Sequence, residues 1–302
     1  MDLLVVGDAN PDLVLRGDVR PRFGQAEQLL TGADLVLGGS AAITAAGCAR
    51  LGLDTALLTA LGDDVFATVT RRHLEDRGVT LLLRPSGGAP TGLSVILAPA
   101  GDDRAILTLP GTIPALRPRD VTAELLATTR HLHVASLYLQ PRLAAGLAGV
   151  FARARALGVG TSLDTNWDPT GRWASITEIL AHTDVFLPNA NELRAVTGRD
   201  DLDEAAALLV ATGTTVVMKD GAAGARAWWP GGACAAPGRP VDVVDTTGAG
   251  DSFNAGFLAG RLAGLPVAGA LAWATAAGSL STRAAGGTAA QATRAELTPS
   301  GR

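Results

Sequence analysis

Short apolar runs bounded by glycine and polar residues recur along this chain, spaced so that a helix fits between each pair. Leu3 to Val6 is the first, stopped by Gly7, Asp8, Asn10 and Pro11, the pattern of a strand covered on both faces. Thr55 to Leu61, Leu132 to Ser136, Gly160 to Asp164, Val185 to Leu187 and Thr214 to Met218 repeat it. Between them, Leu143 to Leu157, Ile176 to His182, Asn189 to Thr197 and Leu202 to Ala211 read as helices, and the Ala-rich Ser40 to Leu51 has side chains small enough to pack a helix closely on a sheet. Strands alternating with helices predict an α/β fold with a doubly wound, mostly parallel sheet.

Two stretches break the rhythm. Leu13 to Leu37 and Gly92 to Leu109 lack helical periodicity, and the second predicts a hairpin, Gly92 to Ala98 with Arg104 to Leu109, turning at Pro99-Ala100-Gly101-Asp102. Either they form a small sheet over one end of the main domain or they are separate surface excursions; the pattern leaves both open. Pro230 to Pro240 reads as a loop, and no repeat or low-complexity linker divides the chain, so one domain over 1–302 is expected, with insertions at about 12–37 and 91–110.

Composition narrows the partners. The 302 residues are 47% hydrophobic and 18% charged, an ordinary globular balance, and a net charge of -4 without a basic patch gives no footprint for nucleic acid. Asp2 stands where a signal peptide would carry a basic residue, and no apolar stretch is long enough to span a bilayer, so no membrane association is expected. Cys48 and Cys234 are the only cysteines, which fits a reducing compartment, the cytoplasm. Cys48, in an Ala-rich helix, reads as a small core residue, and His131 and His133, alternating on one strand without a nearby ligand partner, read as structural histidines. Neither a G-x-x-x-x-G-K-[ST] nor a G-x-G-x-x-G after the first strand is present, which argues against a P-loop and a dinucleotide site.

The most informative stretch is Val241 to Phe257, which joins a strand to a helix through Gly248-Ala249-Gly250. Uncluttered backbone at a helix start lets successive N–H groups and the helix dipole meet an anion. Asp251 lies at the same mouth, where the dipole is expected to keep it ionised and where it could take a proton from an attacking hydroxyl. An Asp that merely caps its helix gives the same local pattern. Asn189 and Glu192 likewise satisfy a capping box as well as a ligand shell.

The run D-T-T-G-A-G-D-S-F-N-A-G-F, Asp245 to Phe257, resembles the C-terminal signature of the ribokinase-like (phosphofructokinase B type) carbohydrate kinases. Further segments follow the family's order along nearly the whole chain: Gly7 to Asp12, Gly38-Gly39 with Ala49-Arg50-Leu51-Gly52, Gly62-Asp63-Asp64, Asp164-Thr165-Asn166, Pro188-Asn189 to Glu192, and Lys219 to Gly224. The resemblance implies a three-layer α/β/α sandwich with a small β lid, and phosphorylation of a sugar or sugar-acid hydroxyl with ATP and Mg2+. Asp251 would be the base and Gly248, Ala249 and Gly250 the anion hole. Asp12, Gly38, Gly39, Asp164 and Asn166 would meet the substrate, and Asn189, Glu192, Lys219, Gly221 and Gly224 the nucleotide, with Glu192 reaching Mg2+ through water. Lys219 could instead be a solvated surface lysine. A monovalent cation, K+, would lie among Asp245, Thr247, Ser281, Ala284 and Gly286, and a homodimer could form through the lid.

Two positions depart from the family's pattern. Ile43 stands where many members carry an Asn that bonds the sugar, and Asp168 stands where the fructokinase and ketodeoxygluconate kinase branch commonly has an Arg, with Arg172 further on. Loss of a polar substrate contact changes specificity strongly, so a nucleoside kinase, for which Ile43 would give an apolar wall, stands as the alternative. A non-catalytic binding protein is a further one, but it would be expected to lack the base or the anion hole. Tyr138, Gln140 and Trp167 are candidates for shaping a pocket, and each reads equally as a core or rim residue.

Overall fold

The computed structural model describes residues 1–99, 104–173 and 176–298. A nine-stranded sheet forms the centre, in the order β13-β12-β11-β10-β9-β8-β1-β4-β5. Its strands are β1 (Leu3–Val6), β4 (Thr55–Ala60), β5 (Thr80–Arg84), β8 (His131–Val134), β9 (Gly160–Leu163), β10 (Val185–Phe186), β11 (Thr215–Lys219), β12 (Ala225–Trp229) and β13 (Gly232–Ala236). Every pairing from β5 to β11 is parallel, and β12 and β13 complete one edge antiparallel.

Alternation along β1 explains the three layers. Leu4 and Val6 join one apolar cluster and Leu3 and Val5 the other, because successive side chains leave a strand on opposite faces. On the first face lie α4 (Pro141–Ala144), α5 (Leu147–Ala156), α6 (Ile176–Leu180), α7 (Ala190–Thr197) and α8 (Leu202–Val210), with the short α3 (Ala123–Leu126). On the second lie α1 (Ser40–Arg50), α2 (Val65–Glu75), α9 (Ala249–Leu262), α10 (Val267–Ser281) and α11 (Arg294–Leu297). Asp64, in the expected helix start, caps α2 by accepting the Ala67 N–H at 2.8 Å.

The two interrupting segments share one four-stranded sheet, in the order β3-β2-β6-β7, built from β2 (Asn10–Gly17), β3 (Leu30–Gly38), β6 (Leu93–Ala98) and β7 (Ala105–Leu109). The expected turn at Ala100 to Asp102 lies outside the described residues. Register puts Asp12 in one row with Val36, Ser94 and Thr108, and Leu13 in the next with Leu35, Val95 and Leu107. One face thus contains Asp12 and mixes polar with apolar residues, Val14 and Ile96 among them; the other is apolar.

Three expectations need correction. The helix over Leu143 to Leu157 is two helices, because the backbone leaves helical geometry at Gly146 (φ -142). The stretch Pro230 to Pro240 contains β13, whose Gly and Ala residues carry no alternating apolar signal although they pair with β12 from Ala225↔Ala236 to Trp229↔Gly232. The strand expected to lead into Gly248 is irregular chain over 241–247, because Val243 and Val244 are exposed and the Val244 and Asp245 N–H groups bond to Thr282 O instead of to a strand; β5 and β12, by contrast, carried no strand expectation.

Candidate active site

The ends of β1, β9 and β11 converge with the start of α9, where parallel sheets of this kind bind ligands. Gly248 turns the chain into α9 with φ 69, and a Cβ there would lie 2.7 Å from Gly287 Cα, so glycine is required on both counts. The Ala249 N–H donates back to Thr246 O at 3.2 Å, which leaves Gly248 and Gly250 as the less encumbered donors of the three expected in the anion hole. Asp251, in the first turn of α9, is buried. Burial pushes its carboxyl up to about 7, helped by Asp164 and Asp8 and opposed by Ser40 and Lys219. The helix dipole therefore does not keep Asp251 in the ordinary carboxylate range; desolvation prevails.

Lys219 is not a solvated lysine. Its Nζ lies 2.6 Å from Asp164 Oδ2, an ion pair with little exposure, and the same oxygen accepts from Asn254 Nδ2 at 2.6 Å. Burial works to raise the Asp164 carboxyl, but the Lys219 charge and these hydrogen bonds hold it below the usual range. Lys219 is raised, the attraction of Asp164 and Glu192 outweighing burial. Asp164 is thus committed to the protein's own cation. Asn166, with φ 52, accepts the Ser136 N–H at 2.9 Å and orders the neighbouring loop.

Asp12 lies directly against the Gly38 backbone: a Cβ on Gly38 would sit 1.9 Å from Asp12 Oδ1. Asn10 Nδ2 donates to that oxygen at 3.0 Å, and burial followed by the Asp8 charge pushes the Asp12 carboxyl up to about 7. Beyond α9, a cavity of about 400 Å3 is lined by Lys219, Gly221, Gly224, Val241, Phe253 and Ser279. Its walls are largely apolar, its rim is rich in glycine, and Gly250 of the α9 start is part of its lining. Asn189 and Glu192 form the capping box of α7, and burial, then the Asp164 charge, pushes Glu192 up to about 7.

A family model described as pfkB family carbohydrate kinase matches residues 1–294. The chain belongs to the pfkB family of carbohydrate kinases. It is 32% identical over 286 residues to an ATP-dependent ribose-1-phosphate kinase of Halopiger xanaduensis, covering 92% of this chain and 91% of that one. It is 33% identical over 276 residues to a fructokinase of Klebsiella pneumoniae, covering 87% and 85%. The structure of Arabidopsis thaliana ribokinase complexed with ribose and ATP superposes with a TM-score of 0.85 at 25% identity over 98% of this chain and 97% of that one. This pfkB chain is accordingly an ATP-dependent carbohydrate kinase of ribokinase-like fold.

The two departures from the family pattern have structural uses in this pfkB kinase. Ile43 is 3% exposed, and its side chain backs the turns at Gly248 and Gly287: Cβ atoms there would meet it at 3.1 and 2.7 Å. Asp168 is buried and accepts from Thr170 N at 2.8 Å and Trp173 N at 2.7 Å, closing a tight loop, while Arg172 beside it donates from Nε to Thr170 Oγ1 at 3.4 Å. Tyr138, Trp173 and Trp167 stack edge to face with centroids 5.3 Å apart at each contact. Gln140 is buried and ties down the Ala135 and Ser136 carbonyls.

The loops named for a monovalent cation do meet. Asp245 accepts the Thr247 N–H and the Gly286 N–H at 2.9 Å each, so its carboxylate staples them and a cation there would rely on main-chain carbonyls. Ser281 is fully buried, its hydroxyl spent on Gly278 O, and Ala284 lies in the loop that follows. His131 and His133 share Ser162 Oγ at 2.8 Å each, and Cys48 is a buried core residue. Sequence reasoning missed Asp8, Ser40, Arg104 and Asn254. Asn254 had a signal, lying three residues after Asp251 on one helix face; Arg104, which donates to Thr247 Oγ1 at 3.0 Å across a sequence separation of 143, had none.

Proposed function

We propose that the chain transfers the terminal phosphate of ATP to a primary hydroxyl of a sugar or sugar acid, with Asp251 as general base. The observation that carries this reading is a buried, proton-hungry carboxylate in the first turn of α9, next to Gly250 of the cavity lining and hydrogen-bonded to Ser40, which follows the Gly38-Gly39 turn that meets Asp12. Asp12 and the Gly38-Gly39 main chain orient the sugar. Asp251 takes the hydroxyl proton as that oxygen bonds to phosphorus and ADP departs, and the N–H groups of Gly248, Gly250 and, once released from its turn, Ala249 face the developing charge.

Gly221 and Gly224 border the nucleotide, and Asn189, Glu192 and Lys219 lie on its phosphate side. Glu192 suits Mg2+ held through water: it is a buried carboxylate whose charge acts on Lys219 of the cavity lining, and among the described residues no three acidic, imidazole or thiol groups converge as a direct cage. K+ would be held by carbonyls of the loops at Asp245, Thr247, Ser281, Ala284 and Gly286. The second sheet serves as a lid that keeps water from the phosphate, and its apolar face, with Leu35 and Leu107 exposed, suits a homodimer. The unpaired Cys48 and Cys234 fit the cytoplasm; among the described residues no helix is long and apolar enough to cross a membrane.

A second reading, in which the acceptor already carries a phosphate, is favoured by Arg104, whose charge acts on both Asp12 and Asp245. A nucleoside acceptor loses support because Ile43 is used behind the anion loop. ADP release is the test, measured with D-ribose, D-fructose, ketodeoxygluconate, ribose 1-phosphate and adenosine in the presence of ATP, Mg2+ and K+. Turnover with a sugar that falls about 100-fold or more in Asp251→Asn is expected; equal turnover in both proteins sinks Asp251 as the base.

A further inference from the structure

Asp251 is held by a residue from the opposite end of the chain. Ser40, the first residue of α1, donates its hydroxyl to Asp251 Oδ1, 211 positions away. One turn later Thr44 Oγ1 lies 3.4 Å from the Asp251 carbonyl oxygen, so α1 meets the start of α9 at two points. Ser40 is itself fixed by Asp8, which accepts the Ser40 N–H at 3.2 Å and the Ala41 N–H at 3.0 Å while taking a hydrogen bond from the Ser136 hydroxyl at 2.9 Å. The three connections form a line from the end of β1, through the start of α1, to the carboxylate in α9.

We propose that Ser40 is a positioning residue for the base: its hydroxyl occupies Oδ1 of Asp251 and leaves Oδ2 to accept the substrate proton. This rests on the reading of Asp251 as the base. A carboxylate can rotate, and a base whose two oxygens exchange places meets the attacking hydroxyl in the wrong orientation part of the time. A hydrogen bond from a side chain anchored by Asp8 removes that freedom. Ser40 also provides a neutral donor, so it steadies the anion without competing for its charge as a second cation would.

The charges around Asp251 make this bond measurable. Asp8 faces it from the loop after β1, Asp164 from the end of β9 and Lys219 from the end of β11. After burial, which raises the Asp251 carboxyl, the bond from Ser40 is the largest influence, and it works the other way. A donor to the carboxylate stabilises the charged form, so its removal must raise the proton affinity of Asp251 and move the acid limb of activity to higher pH.

The test is a pH titration of the full chain carrying 13C-carboxyl-labelled aspartate, followed by NMR without substrate. The Asp251 signal is the one lost in Asp251→Asn. In the wild type its midpoint is expected near 7. In Ser40→Ala it is expected to move up by about one unit or more, a tenfold rise in proton affinity. Ser40→Cys keeps the shape with a weaker donor and should fall between the two; it also serves if the alanine variant does not fold. A midpoint in either variant equal to that of the wild type overturns the proposal. Failure of the base reading looks different: Asp251→Asn would then phosphorylate the accepted sugar of the panel at the wild-type rate, whatever the titration gives.

Discussion

Three carboxyls of the site, Asp251, Asp12 and Glu192, are each pushed up to about 7, chiefly by burial. Only the ionised form of Asp251 can accept a proton, so kcat/KM should climb about tenfold per pH unit below 7 and level off above it; a profile flat from pH 5 to 9 would contradict this assignment. The same shift has a cost in stability. Because the folded carboxyl binds its proton more tightly than the unfolded one, the folded state is favoured at low pH and loses that advantage as pH rises through about 7. Asp251→Asn is therefore expected to stabilise the protein at pH 8 by up to about 4 kcal/mol, with the gain vanishing toward pH 4. Thermal melts of both proteins across that range would check it. At this scale the sequence exposed the motif residues but not their partners: Gly248 and Asp251 lie in one contiguous run, whereas Ser40 and Asp8 reach Asp251 only through the fold.

At the scale of elements, the candidate site contains a junction of three strand or helix ends. Asp164 follows β9, Lys219 ends β11 and Asn254 lies one turn into α9, and hydrogen bonds join all three. Lys219→Met would leave the Asp164 charge buried and uncompensated, for which about 3–5 kcal/mol is expected. Urea unfolding should find that loss, and adding Asp164→Asn should recover most of it, since the pair rather than either charge is tolerated. If Lys219→Met alone is neutral, the junction is held by packing. The strands that supply these ends were legible because each is a short apolar run stopped by glycine or a polar residue, as at Leu3 to Gly7. β13 was hidden because Gly232 to Ala236 contains small residues that pair well but carry no apolar contrast, and its partner β12 borders the same turn. The break at Gly146 was hidden because the residues on both sides of it keep helical spacing.

Across the whole molecule, the second sheet separates two tasks by the alternation of its strands. The Asp12, Ser94 and Thr108 row is the one the proposed reading turns toward substrate, and the Leu13, Leu35, Val95 and Leu107 row faces the other way. Leu35 and Leu107 are 39% and 59% exposed, an apolar surface that a single chain leaves in water. Each segment taken separately looks irregular, which is why its pattern did not decide between a joint sheet and two excursions. Pairing Asp12 with Ser94 across 82 positions makes the apolar row continuous and gives a second copy something to cover. Light scattering of the purified chain should therefore return twice the monomer mass of 30.6 kDa, and Leu35→Glu with Leu107→Glu should return the monomer. Because the substituted side chains point away from Asp12, the monomer should retain kcat while losing substrate affinity, as an unsupported lid closes less completely over the sugar. A wild-type chain that stays monomeric at tens of micromolar would assign this face to the lid's own folding instead of to a partner.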